Sequence, residues 1–216
     1  MDTLPSAMPD PKVLTRSLQA IADLNAEFLE ALVETAKYRP DLFPLPRALR
    51  SDFSQILVTQ RRERGRCGIL LADARFSDSA RWAGVVSGND PDVILEEQEQ
   101  EHWLSVGQGV VVAHSVLMVA WHVVHAVPSL VSVLLGMSDG VAREFGKLSI
   151  SDLTHIARHR ASWVRPRWAG REDLWASIIT RGHSSLDQEP PVVLRCLQAT
   201  ASESHRMLSS MASGGA

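Results

Sequence analysis

The sequence predicts an all-α fold with two similar halves, each a long helix followed by short, helix-turn-helix-like helices, and only minor short strands. Three observations predict this fold. Apolar side chains recur at three- and four-residue spacing over residues 14–37, and residues 103–135 form a second long apolar run. Short segments that begin at serine and end at glycine follow the second run. With 45% hydrophobic residues, the 216-residue chain can bury a substantial core.

The first half is predicted to occupy residues 1–86. Its long helix, 14–37, is followed by YRPDLFPLPR, in which three prolines require a loop. Helix is expected to resume at Ser51, a good N-cap, and to continue to about Arg64. A glycine-containing turn ends that helix, and residues 69–71 are expected to form a short strand.

The rest of the chain divides into three predicted segments: an acidic linker at 87–101, a second helical domain at 102–198 and a disordered tail at 199–216. Within the second domain, Ser138 and Ser151 are expected to cap two short helices. Because a tight turn joins them, these two helices are a helix-turn-helix candidate.

An internal repeat is indicated by two similar hexapeptides. SDFSQI at 51–56 recurs as SDLTHI at 151–156, an offset of one hundred residues. Both copies continue into arginines and then reach a tryptophan, Trp82 in the first and Trp175 in the second. The pattern suggests a duplicated unit, with chance similarity as the alternative.

Composition excludes several classes of protein. The formal net charge of -3 lacks the basic balance typical of proteins that bind nucleic acid over their whole surface. Cys67 and Cys196 match no zinc spacing and suit a reducing compartment, so we expect a cytoplasmic protein without a structural metal. The chain has no phosphate-binding glycine loop, nucleophile elbow or zincin motif, so we expect neither an enzyme nor a cofactor.

An uncharged stretch, 110–137, is long enough to span a membrane. On a helix, however, its histidines and serines fall on one stripe, which favours a buried or interfacial helix that Pro128 would kink or break. His122 and His125 lie one turn apart but lack the further ligands of a metal site. We therefore expect this helix to hold an oligomer together through four apolar residues: Leu117, Trp121, Val124 and Leu130.

The segment 158–171 is the strongest basic feature of the second half, with five arginines, one histidine and no acid. Arginine suits phosphate because its planar guanidinium donates two parallel hydrogen bonds. The alternative is a solvated basic face. The first basic cluster, 61–66, is expected to be a solvent-facing helix end. The residues expected to contact DNA are Lys147, His155, Arg158, Arg160, Arg165, Arg167 and Arg171.

The sequence from Gly136 to Trp175 resembles the core of the FlhD family, a subunit of the bacterial flagellar master transcription activator. The shared features are a glycine turn after a long helix, a short helix containing Ala142, a Gly-x-Leu-Ser step at 146–149 and an aromatic-basic stretch at 165–168. The resemblance covers residues 104–178.

The resemblance implies an all-helical DNA-binding activator subunit that dimerises through its long helix and acts with an FlhC-like partner on promoter DNA. FlhC carries a zinc-binding cysteine cluster that two cysteines cannot supply, so the chain is similar to the FlhD subunit. Flagellar and conjugative or mobile-element genes both remain possible targets. Because the chain is about twice as long as a typical family member, its first half would be a diverged copy. The alternative functions are a helical adaptor or anti-activator that binds only protein and, less favoured, a small membrane protein.

Overall fold

A computed structural model describes residues 9–87 and 102–180. The predicted linker, apart from Ser87, and the predicted tail lie outside these residues. The first half contains α1 (Pro11–Tyr38), α2 (Arg50–Gln55), α3 (Val58–Gly65), β1 (Ala72–Asp73) and α4 (Ser79–Ser87). The second half contains α5 (Val106–Ala126), α6 (Val131–Leu135), α7 (Asp139–Phe145), α8 (Ile150–His159), β2 (Arg165–Pro166) and α9 (Glu172–Thr180). The all-α class with minor short strands is confirmed.

The structure corrects five predicted element bounds. Ser51 lies inside α2, whose N-cap is Leu49, and the strand expected at 69–71 is β1 at Ala72–Asp73. The helix expected to run from Ser51 is interrupted at Ile56, whose extended backbone separates α2 from α3. The second long helix ends at Ala126, because Pro128 begins a separate short turn of helix. The N-cap of α8 is Ser149, whose side chain accepts a hydrogen bond from the backbone amide of Asp152, and not Ser151.

The two halves share one hydrophobic core. The long helices α1 and α5 pack against each other, and the short strands β1 and β2 form one antiparallel ladder. Helix α4 of the first half packs on α7 of the second half. The predicted boundary between the halves is therefore not a boundary between two separately packed cores.

Buried positions repeat at an offset of 92 residues, which replaces the predicted offset of one hundred. Along the long helices α1 and α5 and the residue that follows α5, the buried residues pair as Ser17 with Gly109, Ile21 with Ala113, Leu24 with Val116, Asn25 with Leu117, Phe28 with Ala120, Ala31 with Val123 and Thr35 with Val127. The pairing continues with Leu45 and Met137, Leu49 and Val141, Phe53 and Phe145, Ile56 and Leu148, Arg61 and Leu153, Arg64 and Ile156, and Gly65 and Ala157. The halves are thus repeats in three dimensions.

The last third of each half repeats at an offset of 93, because the second half has one additional residue before its strand. Arg75 and Trp168 occupy equivalent positions and are the two described non-glycine residues with positive φ, at 56° and 54°. The indole of Trp82 donates to the Arg75 carbonyl at 3.1 Å, and the indole of Trp175 donates to the Arg167 carbonyl at 3.0 Å. Equivalent turns therefore precede α4 and α9.

The strand ladder and the aromatic packing between the two halves are reciprocal, as in an approximate twofold arrangement. In the β1–β2 ladder Ala72 pairs with Pro166 and Asp73 with Arg165, and exchanging the halves converts the first pair into the second. The aromatic packing is also reciprocal. Trp82 of the first half lies 5.1 Å from Phe145, and Trp175 of the second half lies 6.0 Å from Phe53, measured between ring centroids. One chain therefore has the arrangement of a twofold dimer.

Candidate nucleic-acid interface

Helices α3 and α8 are equivalent and lie on the long helices. Helix α3 packs on α1, and α8 packs on α5. The buried side of α8 is apolar and consists of Leu153, Ile156 and Ala157. The buried positions of α3 have the same spacing, three residues and then one, so they lie on one side of the helix. The opposite side of each helix therefore faces solvent.

The solvent-facing first turns of α3 and α8 carry the same kinds of side chain. Val58 begins α3 and is 70% exposed, and its counterpart Ile150 begins α8 and is 53% exposed. An exposed hydroxyl follows in each helix, from Thr59 and Ser151. Each half therefore presents an aliphatic group beside a hydroxyl at the start of the second helix of its helix-turn-helix-like pair.

Exposed arginines lie one to two turns farther along, at Arg66 and its counterpart Arg158. Arg158 makes no ion pair within residues 9–87 and 102–180, which leaves its guanidinium available to an anionic partner. His155 and His159 are exposed beside it, with ring centroids 4.3 Å apart. Arg62 is also exposed on α3. The outer sides of both helices therefore carry cationic or titratable side chains.

Both helices have a side chain that closes the first turn. Asp152 accepts hydrogen bonds from the backbone amide and hydroxyl of Ser149 at 2.8 and 2.7 Å. These bonds lower the pKa of the Asp152 carboxyl, with the Ser149 hydroxyl as the largest cause. At the equivalent place in α3, the Gln60 side chain accepts from the Leu57 amide at 3.1 Å. The acidic group of α8 is thus engaged with its own helix cap.

Two arginines that the sequence predicted to contact DNA are buried instead. Arg160 and Arg167 are each only 6% exposed. The Arg160 guanidinium lies 5.5 Å from the Trp163 ring centroid, and the Arg167 guanidinium lies 4.4 Å from that of Trp168. Because phosphate cannot reach a buried guanidinium, these two residues are corrected from DNA contacts to parts of the core.

Three further predicted contacts are exposed but ion-paired. Lys147 binds Glu144 at 2.8 Å, Arg165 binds Asp73 at 3.0 Å, and Arg171 binds Asp173 at 2.8 Å. The Arg171 hydrogen bond also lowers the pKa of the Asp173 carboxyl. Of the predicted set, His155 and Arg158 remain as exposed side chains that form no such pair with another residue of the described ranges.

The first basic cluster differs from its predicted solvent-facing arrangement. Arg61 is 8% exposed and binds Glu30 at 2.8 Å, and Arg64 is 5% exposed. Burial lowers the pKa of the Arg64 guanidinium. Half of the cluster therefore packs against α1, while Arg62 and Arg66 face solvent.

The residues predicted as an oligomer interface contribute instead to packing within the chain. Leu117 is 3% exposed. Trp121, Val124 and Leu130 are partly buried against the core, and the Trp121 indole donates to the Leu148 carbonyl at 2.9 Å. The outer side of α5 carries other residues, including Val111, which is 65% exposed, and His122. Leu117 is therefore corrected to an internal contact, and the other three residues pack in part against the core of the same chain.

Helix α5 is also the one described helix that is long and apolar enough to cross a membrane. Of its most apolar 18-residue window, 33% is buried inside the chain. The core helix of a globular protein meets the same criterion of length and composition.

No group of three or more histidine, cysteine or acidic side chains suited to a metal ion occurs within the two described ranges. His122 and His125 lie on the exposed side of α5, and the His125 ring contacts that of Trp121 at 4.2 Å. Cys67 is buried, and its thiol donates to the Ile69 carbonyl at 3.2 Å.

Sequence reasoning missed the two aliphatic–hydroxyl pairs, Val58 with Thr59 and Ile150 with Ser151. The signal was present in the sequence, because these pairs lie 92 residues apart. The hexapeptide match at an offset of one hundred paired the start of α8 with α2 and so concealed it.

No family model matches this chain, and the searches of curated proteins and of solved structures likewise gave no match. The resemblance to the FlhD family is therefore carried by the residues quoted for it alone.

Proposed function

We propose that the chain is a cytoplasmic DNA-binding transcription regulator that contacts DNA through α3 and α8, in keeping with its FlhD-like features. The observation that carries the proposal is the matched solvent-facing side chains at equivalent positions of the two helices, Val58 and Thr59 in one and Ile150 and Ser151 in the other. An FlhC-like subunit would act with it at promoters.

The side chains suit contact with a duplex. In helix-turn-helix proteins the first residues of the second helix reach base edges in the major groove. Aliphatic groups such as Ile150 pack on thymine methyl groups, and hydroxyls such as that of Ser151 hydrogen bond to base edges. Arg158, near the end of the same helix, is placed to contact phosphate, which supplies affinity without sequence preference. The described residues therefore include side chains suited both to positioning on DNA and to base readout.

The test is the salt dependence of binding to the DNA upstream of the chain's own operon, measured by fluorescence anisotropy with and without an FlhC-like protein encoded beside it. Arg158→Ala is expected to weaken binding and to reduce the slope of log affinity against log salt by about 0.9, the value of one phosphate contact. Arg165→Ala is the matched control, because its guanidinium already binds Asp73 at 3.0 Å. Equal effects of the two substitutions would contradict the proposed surface.

A protein-binding adaptor or anti-activator is the second candidate function. The outer side of α5 favours it, because Val106 and Val111 are 87% and 65% exposed on a helix that contains no aspartate, glutamate, lysine or arginine. Such a face would contact a partner surface that is itself apolar and uncharged. Absence of any salt-dependent DNA binding by the folded protein would favour this function over the first.

A further inference from the structure

We infer that a single chain binds both halves of a DNA site whose half-sites are inverted with respect to each other. The inference rests on the proposed function and adds its stoichiometry and the symmetry of its target. It follows from the twofold relation between the halves, which places α3 and α8 as a twofold dimer of a smaller protein would place two copies of one helix.

The symmetry determines where the two helices face. A twofold rotation leaves direction along its axis unchanged, so any part of the exposed side of α3 that faces along the axis has a counterpart on α8 that faces the same way. Repeats related by translation or by a screw would present their helices differently. A DNA duplex has local twofold axes perpendicular to its own helical axis, and dimeric helix-turn-helix proteins align their axis with one of these. Val58 and Ile150 would then enter two inverted half-sites.

The contacts between the halves are internal and extensive enough to fix this arrangement. The hydrophobic core is continuous from α1 to α9. The backbone amide of Leu70 donates to the Leu134 carbonyl at 2.8 Å, and that of Ser138 donates to the Phe76 carbonyl at 3.1 Å. With the reciprocal tryptophan packing, these bonds hold α3 and α8 at one separation, so the spacing between the half-sites should be fixed.

The two half-sites should be similar but not identical. Equivalent positions in the first turns carry valine against isoleucine and threonine against serine, which preserves the chemistry of readout. Farther along α3, Arg62 and Glu63 occupy the positions that Thr154 and His155 occupy in α8. Because these positions carry an arginine and a glutamate in α3 but a threonine and a histidine in α8, the two half-sites should differ in affinity.

The experiment is selection of duplexes from a random library by the full-length protein, followed by measurement of the complex mass by sedimentation. We expect inverted half-sites with centres separated by about one helical turn, near 10 bp, or a whole multiple of it. The complex should contain one chain per duplex. Inserting about 5 bp between the half-sites should reduce affinity about tenfold or more, because the insertion rotates one half-site away from its helix.

Two exposed substitutions test the assignment of each helix. Val58→Ala should relax base preference in one half-site alone, and Ile150→Ala should relax it in the other alone, with both proteins folded because the side chains are 70% and 53% exposed. Two chains per duplex, direct repeats or a single half-site would overturn the inference and leave DNA binding intact. Failure to enrich any duplex, with the folded protein showing no salt-dependent binding, would overturn the proposed function as well.

Discussion

The two halves hold the second short helix to the long helix in different ways. In the first half the contact is polar: Asn25 of α1 is fully buried, and its amide donates to the carbonyls of Gly65 at 3.0 Å and Ile69 at 2.7 Å. Its carbonyl accepts from the Leu71 amide at 2.9 Å. In the second half the position of Asn25 is taken by Leu117, and the contact is apolar.

The difference shows that one backbone arrangement can be held by two chemistries. A single buried amide connects α1 to the end of α3 and to the chain leading into β1, so it determines the path of that loop. In the second half the corresponding loop is held by another group, the Trp103 indole, which donates to the Val164 carbonyl at 3.1 Å. Apolar burial supplies the remaining stability there, because Leu153 and Ile156 replace Arg61 and Arg64.

Replacing Asn25 with leucine, the residue at the equivalent position of the second half, should have the largest effect on stability. Asn25→Leu removes three buried hydrogen bonds. The Ile69 carbonyl keeps the Cys67 thiol as a donor, but the Gly65 carbonyl and the Leu71 amide lose the Asn25 side chain, so we expect the free energy of unfolding to fall by at least about 3 kcal/mol. Chemical denaturation measures the loss. Leu117→Met is the control, since a volume-conserving change in an apolar core costs less than about 1.5 kcal/mol. A similar cost for both variants would remove the distinction between a polar and an apolar contact.

Exchanging Gly65 of α3 and its counterpart Ala157 of α8 should have a smaller effect on stability. A Cβ at Gly65 would lie 2.8 Å from the Ala22 carbonyl oxygen and 3.0 Å from the Ala26 amide, so backbone must move. We expect Gly65→Ala to destabilise the fold by about 1–3 kcal/mol. Ala157→Gly in the second half should cost about 1 kcal/mol through helix propensity. Thermal unfolding compares them, and a stabilising Gly65→Ala would show that α3 has room to move away from α1.

Acid sensitivity should originate in the second half, at His102. Burial lowers the pKa of this imidazole, so the folded state favours its neutral form more than the unfolded chain does. The stability from this preference is complete above the unfolded pKa near 6.5 and is lost as pH falls through the folded value. The free energy of unfolding should therefore differ less between pH 7.5 and pH 5.5 in His102→Gln than in the wild type. An unchanged difference would assign the acid sensitivity to other groups.

Removing the ion pair across the β1–β2 ladder should have the smallest effect on stability. Arg165 of β2 binds Asp73 of β1, but the Arg165 side chain is 56% exposed, so solvent screens the pair. Arg165→Ala should cost less than about 1 kcal/mol in chemical denaturation. Its counterpart in the first half is Ala72, so the substitution also makes the two strands more alike. A loss above about 2 kcal/mol would show that the pair joins the halves more strongly than exposed pairs do.

The helical class and several element bounds were determined by the sequence alone, because the signals for them are local. Apolar spacing over residues 14–37 matches α1 closely, the break expected at Pro128 is present although the helix was expected to extend past it, and Ser138 caps α7 through a hydrogen bond from the Val141 amide. Hydrophobic period, proline geometry and capping depend on neighbouring residues in the chain, so they can be read without tertiary structure.

The roles of the arginines and the register of the repeat were decided only by tertiary structure. Arg160, Arg165 and Arg167 look alike in sequence, yet two are buried against tryptophans and one binds a carboxylate from a strand 92 residues earlier. The repeat is a repeat of burial more than of residue identity, since an asparagine in one half corresponds to a leucine in the other. Burial depends on which distant elements meet, and that information lies in packing across the twofold axis and not in any local stretch of sequence.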